Sequence, residues 1–254
     1  MKKLLAITAL SAALFFGQTA VAEEKAAEEV KPSHVEMVLV LDESGSMSDL
    51  TRDTIGGFNS MIEKEKKLDV DAHVTTVLFN DQYKMPYNRR ELKDVSKMTD
   101  KDYTPGGMTA LLDAVGRTIH KMDMVAGIHR KDKGNKVLFV IITDGEENDS
   151  KEYTYADVKK LIKDRQENAG WEFIFLGANI DAAAAAENLG IDRDRAVKYK
   201  NTGSGVRANF KAVAELSDSL AKSGRVSDRW KETVEKDEDD AADKQSAAVT
   251  SHRR

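Results

Sequence analysis

Strand-like runs alternating with helix-spaced segments predict an α/β fold: an open, doubly wound, mostly parallel sheet with helices on both faces and an antiparallel strand at one edge. Two further observations support it. The apolar runs Val35–Leu41 and Lys136–Ile142 are nearly continuous, as in central strands buried on both faces. Each also ends abruptly in polar residues, Asp42 and Thr143-Asp144-Gly145.

After Val35–Leu41, Ile55, Phe58, Met61 and Ile62 recur at helical spacing and place a helix over about 50–67. Gly56-Gly57 weakens that helix intrinsically but permits close approach to a sheet. Ala72–Phe79 reads as a second strand, and Asn80-Asp81 as the turn into a short third strand over 82–85. The loop "TPGGM" (104–108) feeds a helix whose Leu111, Leu112, Val115, Ile119 and Met122 share a face. A polar helix over 155–167 follows the Lys136–Ile142 strand, and Trp171–Leu176 is the next strand. An alanine-rich helix capped by Asp181 comes after it. Ala196–Tyr199 is the last strand. "GSG" (203–205) reads as a hinge before a closing helix marked by Val206, Phe210, Val213, Leu216 and Leu220.

The ends differ in character. Residues 1–22 begin with Lys2 and Lys3, continue with an apolar run from Leu4 to Phe16, and finish on Ala20-Val21-Ala22. That is the pattern of a secretory signal peptide cleaved after Ala22, with an uncleaved anchor as the alternative. Residues 23–33 are a charged, alanine-rich linker, 34–224 the folded domain, and 225–254 a charge-rich tail expected to be solvated and largely disordered. Cleavage removes two lysines and no acids, moving the formal charge from −5 to −7. An acidic chain of this kind disfavours nucleic acid as a partner. The absence of cysteine excludes disulfides and lipid attachment through an N-terminal Cys. The expected destination is the periplasm or the exterior, with no membrane span in the mature chain.

In open α/β sheets, ligands bind beyond the carboxyl ends of the strands, where the chain order reverses. The loops after Leu41, Phe79, Ile142 and Leu176 therefore matter most. They bring Asp42, Ser44, Ser46, Thr109 and Asp144 to one rim. All are hard oxygen donors, suited to Mg²⁺ or Mn²⁺ rather than a soft metal. The glycine between the serines is expected to keep the turn tight. Taken singly, each residue is explained as a helix cap or turn residue; the five together point to a metal site. Glu146, Glu147 and Asp149 read as loop polarity, Asn179 and Asp181 as rim residues. The five histidines are scattered along the chain.

"DESGS", a threonine following "GG", and "TDG" together resemble the metal-ion-dependent adhesion site of von Willebrand factor type A domains. The resemblance extends over roughly 35–199. It implies that Ser44 and Ser46 bind the metal through their hydroxyls, and that Thr109 binds directly or through water. It further implies that Asp42 and Asp144 act through waters or orient the hydroxyls. One coordination position would accept a Glu or Asp carboxylate from a protein partner. The resulting expectation is an exported protein-binding module and not an enzyme. A metal-dependent hydrolase is the second reading; the chain has no Gly-x-Ser-x-Gly elbow. A subunit assisting assembly of a larger complex, as cytoplasmic relatives do with ring-forming ATPases, is the third, and the export signal argues against it.

Overall fold

A computed structural model describes residues 34–125, 135–227 and 229–237; the expected leader, its cleavage site and the linker lie outside these. Six strands form one sheet: β1 (Val35–Asp42), β2 (Ala72–Phe79), β3 (Tyr83–Glu91), β4 (Lys136–Thr143), β5 (Glu172–Gly177) and β6 (Ala196–Lys198). Their spatial order is β3-β2-β1-β4-β5-β6. All pairings are parallel except β2 with β3. The chain winds one way from β1 to β3 and then back across β4 to β6, so the order reverses at β1.

Among the described residues, five helices of eight residues or more cover the sheet: α1 (Thr51–Lys67), α2 (Leu111–Asp123), α3 (Tyr155–Asp164), α4 (Ala182–Leu189) and α5 (Gly203–Ser223). Alternation along β1 divides the core in two. Met37, Leu39 and Leu41 pack with Phe58 of α1 and Phe210 and Leu216 of α5. Val38 and Val40 pack on the opposite side with Val115 and Ile119 of α2, Val158 of α3 and Ala186 of α4.

Four local expectations need correction. The third strand runs on to Glu91, with register shifts opposite Thr76 and Arg89 in the left-handed region at φ 48°. Pro86 is tolerated there because the strand is at the edge. Gly57 serves a helix rather than the sheet: a Cβ on it would lie 2.4 Å from Cδ2 of Phe210, so its hydrogen lets α5 close on α1. "GSG" is not a hinge but the first turn of α5, capped by Thr202, whose hydroxyl accepts from the Gly205 amide at 3.3 Å.

The fourth correction concerns only the start of the tail, because residues 238–254 lie outside the described residues. Val226, Trp230 and Val234 are all buried in the core alongside α5. The Trp230 indole donates to the Asp194 carbonyl at 3.2 Å, and residues 232–237 are helical. High charge density concealed these three apolar residues. Trp230→Ala is expected to destabilise the fold by about 3–5 kcal/mol, read by urea denaturation; a solvated tail would leave the midpoint unchanged.

Between α1 and α5 lies the fully buried Glu65, whose Oε2 accepts from the Ser217 hydroxyl at 2.8 Å. Burial raises its carboxyl from the usual 4.5 to about 7, outweighing that hydrogen bond. The folded protein thus keeps a proton that the unfolded chain has released. The resulting stability is complete below about pH 4.5 and lost as pH rises through 7. Glu65→Gln is expected to exceed the wild type by roughly 2–3 kcal/mol at pH 8 and to decline less than the wild type between pH 5 and 7.

Candidate metal centre

The reversal at β1 puts the ends of β1 and β4 side by side, in the crevice where such sheets bind ligands. Asp42, the last residue of β1, is buried, and both its carboxylate oxygens are engaged. Oδ1 accepts the Ser44 amide at 2.7 Å; Oδ2 accepts the Thr143 hydroxyl at 2.6 Å. The first contact bends the chain out of the strand into the 3-10 turn Gly45–Leu50, and the second ties β1 to β4.

That turn presents the two serine hydroxyls together. Ser44 Oγ and Ser46 Oγ are 3.0 Å apart, and Ser46 donates to Asp144 Oδ1 at 2.5 Å. Thr109 arrives from the loop before α2. A Cβ at Gly145 would lie 3.7 Å from Thr109 Oγ1 and 3.8 Å from Ser46 Oγ, so both hydroxyls converge on the "TDG" turn. All five expected residues therefore meet at one rim. Asp42, Ser44, Thr109 and Asp144 are buried, whereas Ser46 is exposed and opens the cluster to solvent.

The donors fit a hard divalent cation. They are oxygens only, two of them carboxylates, and no Lys, Arg or His among the described residues pairs with Asp42 or Asp144. Burial, with the charge of Asp144 adding to it, raises the Asp42 carboxyl above its ordinary value despite its hydrogen bonds. A dication would offset that cost. Ser44, Ser46 and Thr109 would be the residues to hold such an ion, with Asp42 and Asp144 supporting the hydroxyls.

Several residues that build this rim are not among the five expected ones. Glu43 is fully buried beside Asp42 and clamps the Thr109 loop: Oε1 accepts the Thr104 amide at 2.5 Å and Oε2 meets Lys84 Nζ at 2.9 Å. The Gly106 amide donates to the Glu43 carbonyl at 2.9 Å, and Tyr103 Oη to the Asp42 carbonyl at 2.6 Å. Asn80 holds the loop from the other side, donating to the Gly106 carbonyl at 2.7 Å. Asn201 reaches Asp144 Oδ2 at 3.4 Å, and Asn179 reaches the Asp144 carbonyl at 3.5 Å.

Gly45 is not the glycine this geometry requires. A Cβ there would stand at an ordinary 3.5 Å from the Gly107 carbonyl. Gly107 is required: its φ is 75°, and a Cβ would strike the Asp81 carboxylate. Glu147 turns away from the site, receiving the amides of Leu112, Asp149 and Ser150 at 2.7–3.0 Å. Asp181 caps α4 through the Ala184 amide at 3.0 Å.

Glu43→Ala is expected to raise hydrogen exchange at the amides of residue 104 and residues 106–109 by more than about tenfold, the equivalent of one lost charged hydrogen bond. Amides of β4 should keep their protection. Equal loosening of both would mean that Glu43 supports the whole fold and not the loop.

Residues 34–190 match the vWA-TerF-like family, described as the vWA found in the TerF C terminus. No curated protein matches the chain by sequence. Among solved structures, it is similar to the open conformation of the pilus adhesin SpaC from Lactobacillus rhamnosus GG, at 14% identity and a TM-score of 0.58 over 76% of this chain and 31% of that one. It is also similar to the vWF domain of the type V pili tip protein Mfa5 from Porphyromonas gingivalis, at 12% identity and 0.53 over 78% and 99%. The PilB minor pilin from Streptococcus sanguinis gives 13% and 0.52 over 73% and 61%. The chain thus spans less than two thirds of the pilin and under a third of the adhesin, and identities this low carry the fold alone. With the family match covering more than half of its residues, the chain belongs to the von Willebrand factor type A domains of the vWA-TerF-like family.

Proposed function

We propose that this chain is an exported protein-binding module that holds Mg²⁺, or Mn²⁺, at a metal-ion-dependent adhesion site and recognises an Asp or Glu carboxylate of a protein partner. The observation that carries this reading is the contiguous hydroxyl–carboxylate chain Ser44–Ser46–Asp144 at an exposed rim. The bound dication supplies a Lewis-acidic position open to an incoming oxygen. Neutral hydroxyl ligands leave much of its charge for that oxygen, while Asp42 and Asp144 keep the hydroxyls oriented. Met108, directly before Thr109, is about half exposed and offers an apolar contact beside the charged one. The likeness to pilus adhesins and pilins supports interaction with protein rather than turnover. No helix among the described residues is long and apolar enough to cross a membrane. Export rests on the leader-like sequence of residues 1–22.

Calorimetric titration of Mg²⁺ and Mn²⁺ should show one ion per chain in the wild type and none in Ser44→Ala/Ser46→Ala. At a hundredfold excess over Kd, the ion should add about 2.7 kcal/mol of stability to the wild type only. Partner capture from an envelope fraction should be lost with chelator and with Asp42→Ala; capture surviving both would sink the metal-mediated contact.

A further inference from the structure

At the opposite end of the sheet from that rim, three side chains from two strands meet. β1 and β2 are parallel with Glu36 opposite His73 in register. His34, two residues before Glu36, projects on the same face. His34 Nε2 lies 2.9 Å from His73 Nδ1 and 3.3 Å from Glu36 Oε1, and His73 Nδ1 lies 3.2 Å from the same oxygen. We propose that His34, Glu36 and His73 form a second metal site, selective for a borderline divalent ion such as Zn²⁺ and distinct from the all-oxygen rim.

The triangle has nearly the size such an ion requires. With metal–ligand bonds of about 2.0–2.1 Å, a tetrahedral centre separates its ligand atoms by about 3.3–3.4 Å. The observed edges need to open by a few tenths of an ångström at most. Two imidazoles and one carboxylate leave the fourth position free, as in sites that keep a water or admit an outside ligand.

The surrounding groups support the same assignment. Asp71 Oδ1 accepts from His34 Nδ1 at 2.9 Å and would hold that proton in place while an ion displaces the proton that Nε2 shares with Glu36. Glu36 is almost fully buried. Burial opposes its ionisation, but hydrogen bonds from His34 and Arg89 prevail and hold its carboxyl down at about 2. Access is open, because His34 and His73 line a surface groove with Asp69, Asp71, Glu91 and Lys93.

Arg89 on β3 is the competitor. Its Nε donates to Glu36 Oε2 at 3.0 Å, and its Nη2 contacts Glu36 Oε1 at 2.5 Å and His73 Nδ1 at 3.2 Å. The guanidinium thus supplies positive charge to the two atoms an ion would claim. An entering ion displaces Nη2 while the Nε–Oε2 contact persists. Arg89 is on the edge strand and about a third exposed, so its side chain has solvent to move into. Its presence sets an affinity threshold: a metal must outbid a resident charge.

The test is titration of the full chain with Zn²⁺ in excess Mg²⁺, which saturates any oxygen-only site, with Co²⁺ absorption in parallel. The expected result is one zinc per chain and the intense visible bands of a tetrahedral, nitrogen-ligated Co²⁺. His73→Ala should abolish both. Asp71→Asn should weaken zinc about tenfold or more through the lost support of His34, and Arg89→Ala should tighten it. A variant lacking His129 and His252 should bind as the wild type does. Zinc binding unchanged in His73→Ala, binding lost in the His129/His252 variant, or no binding by folded wild type would each overturn the assignment.

Discussion

Both oxygens of the buried Asp42 carboxylate are engaged, one by the turn that follows β1 and one by Thr143 at the end of β4. This pair of contacts fixes where the central strand stops, how the next residues leave it, and how its neighbour is held alongside. Ser44 and Ser46 reach the same point because the Ser44 amide is anchored first. Asp144 reaches it because Thr143 is held. Glu43, next in sequence and equally buried, extends the constraint to a third segment through Thr104. One strand end thus organises the turn after β1, the loop before α2 and the turn after β4.

The two ends of the sheet solve opposite electrostatic problems. At the carboxyl end, Asp42 and Asp144 are buried without a basic partner among the described residues, so negative charge is left to be neutralised. At the amino end, Glu36 is as deeply buried but sits among two imidazoles and a guanidinium. The same strand, β1, contributes a buried acid to each end, and the neighbours decide which acid is satisfied. The polar atoms differ accordingly: hydroxyl and carboxylate oxygens at one end, ring nitrogens around a single carboxylate at the other.

Strand periodicity and abrupt polar strand ends made the sheet and its sensitive rim legible in the sequence, because Asp42 and Thr143-Asp144 interrupt runs that are otherwise apolar. Asp42 and Asp144 were legible for the same reason, whereas Ser44, Ser46 and Thr109 were read from their spacing and from the resemblance to the adhesion-site motif. Glu43, Asn80 and Asn201 were not, since a single acid or amide in a loop has no periodicity and acts only through tertiary contact. His34 and His73 were hidden by their separation: 39 positions in sequence become adjacent only through the parallel register of β1 and β2. Trp230 and Val234 were masked by the charges around them. Gly57 was misdirected because spacing shows that a helix face is narrow without showing what packs on it.

The edges of the sheet restrict how anything can attach to it. β3 carries Pro86, two register shifts, a left-handed Arg89 and the exposed charges of Arg90 and Glu91 at its end. β6 is three residues long. An extended peptide approaching β3 finds no even row of amides and carbonyls, and one approaching β6 finds barely a turn's length of ladder. Strand addition, by which many sheets recruit partners or polymerise, is therefore disfavoured on both flanks. Association is left to side chains and loops, where a single substitution can abolish it without unravelling the sheet.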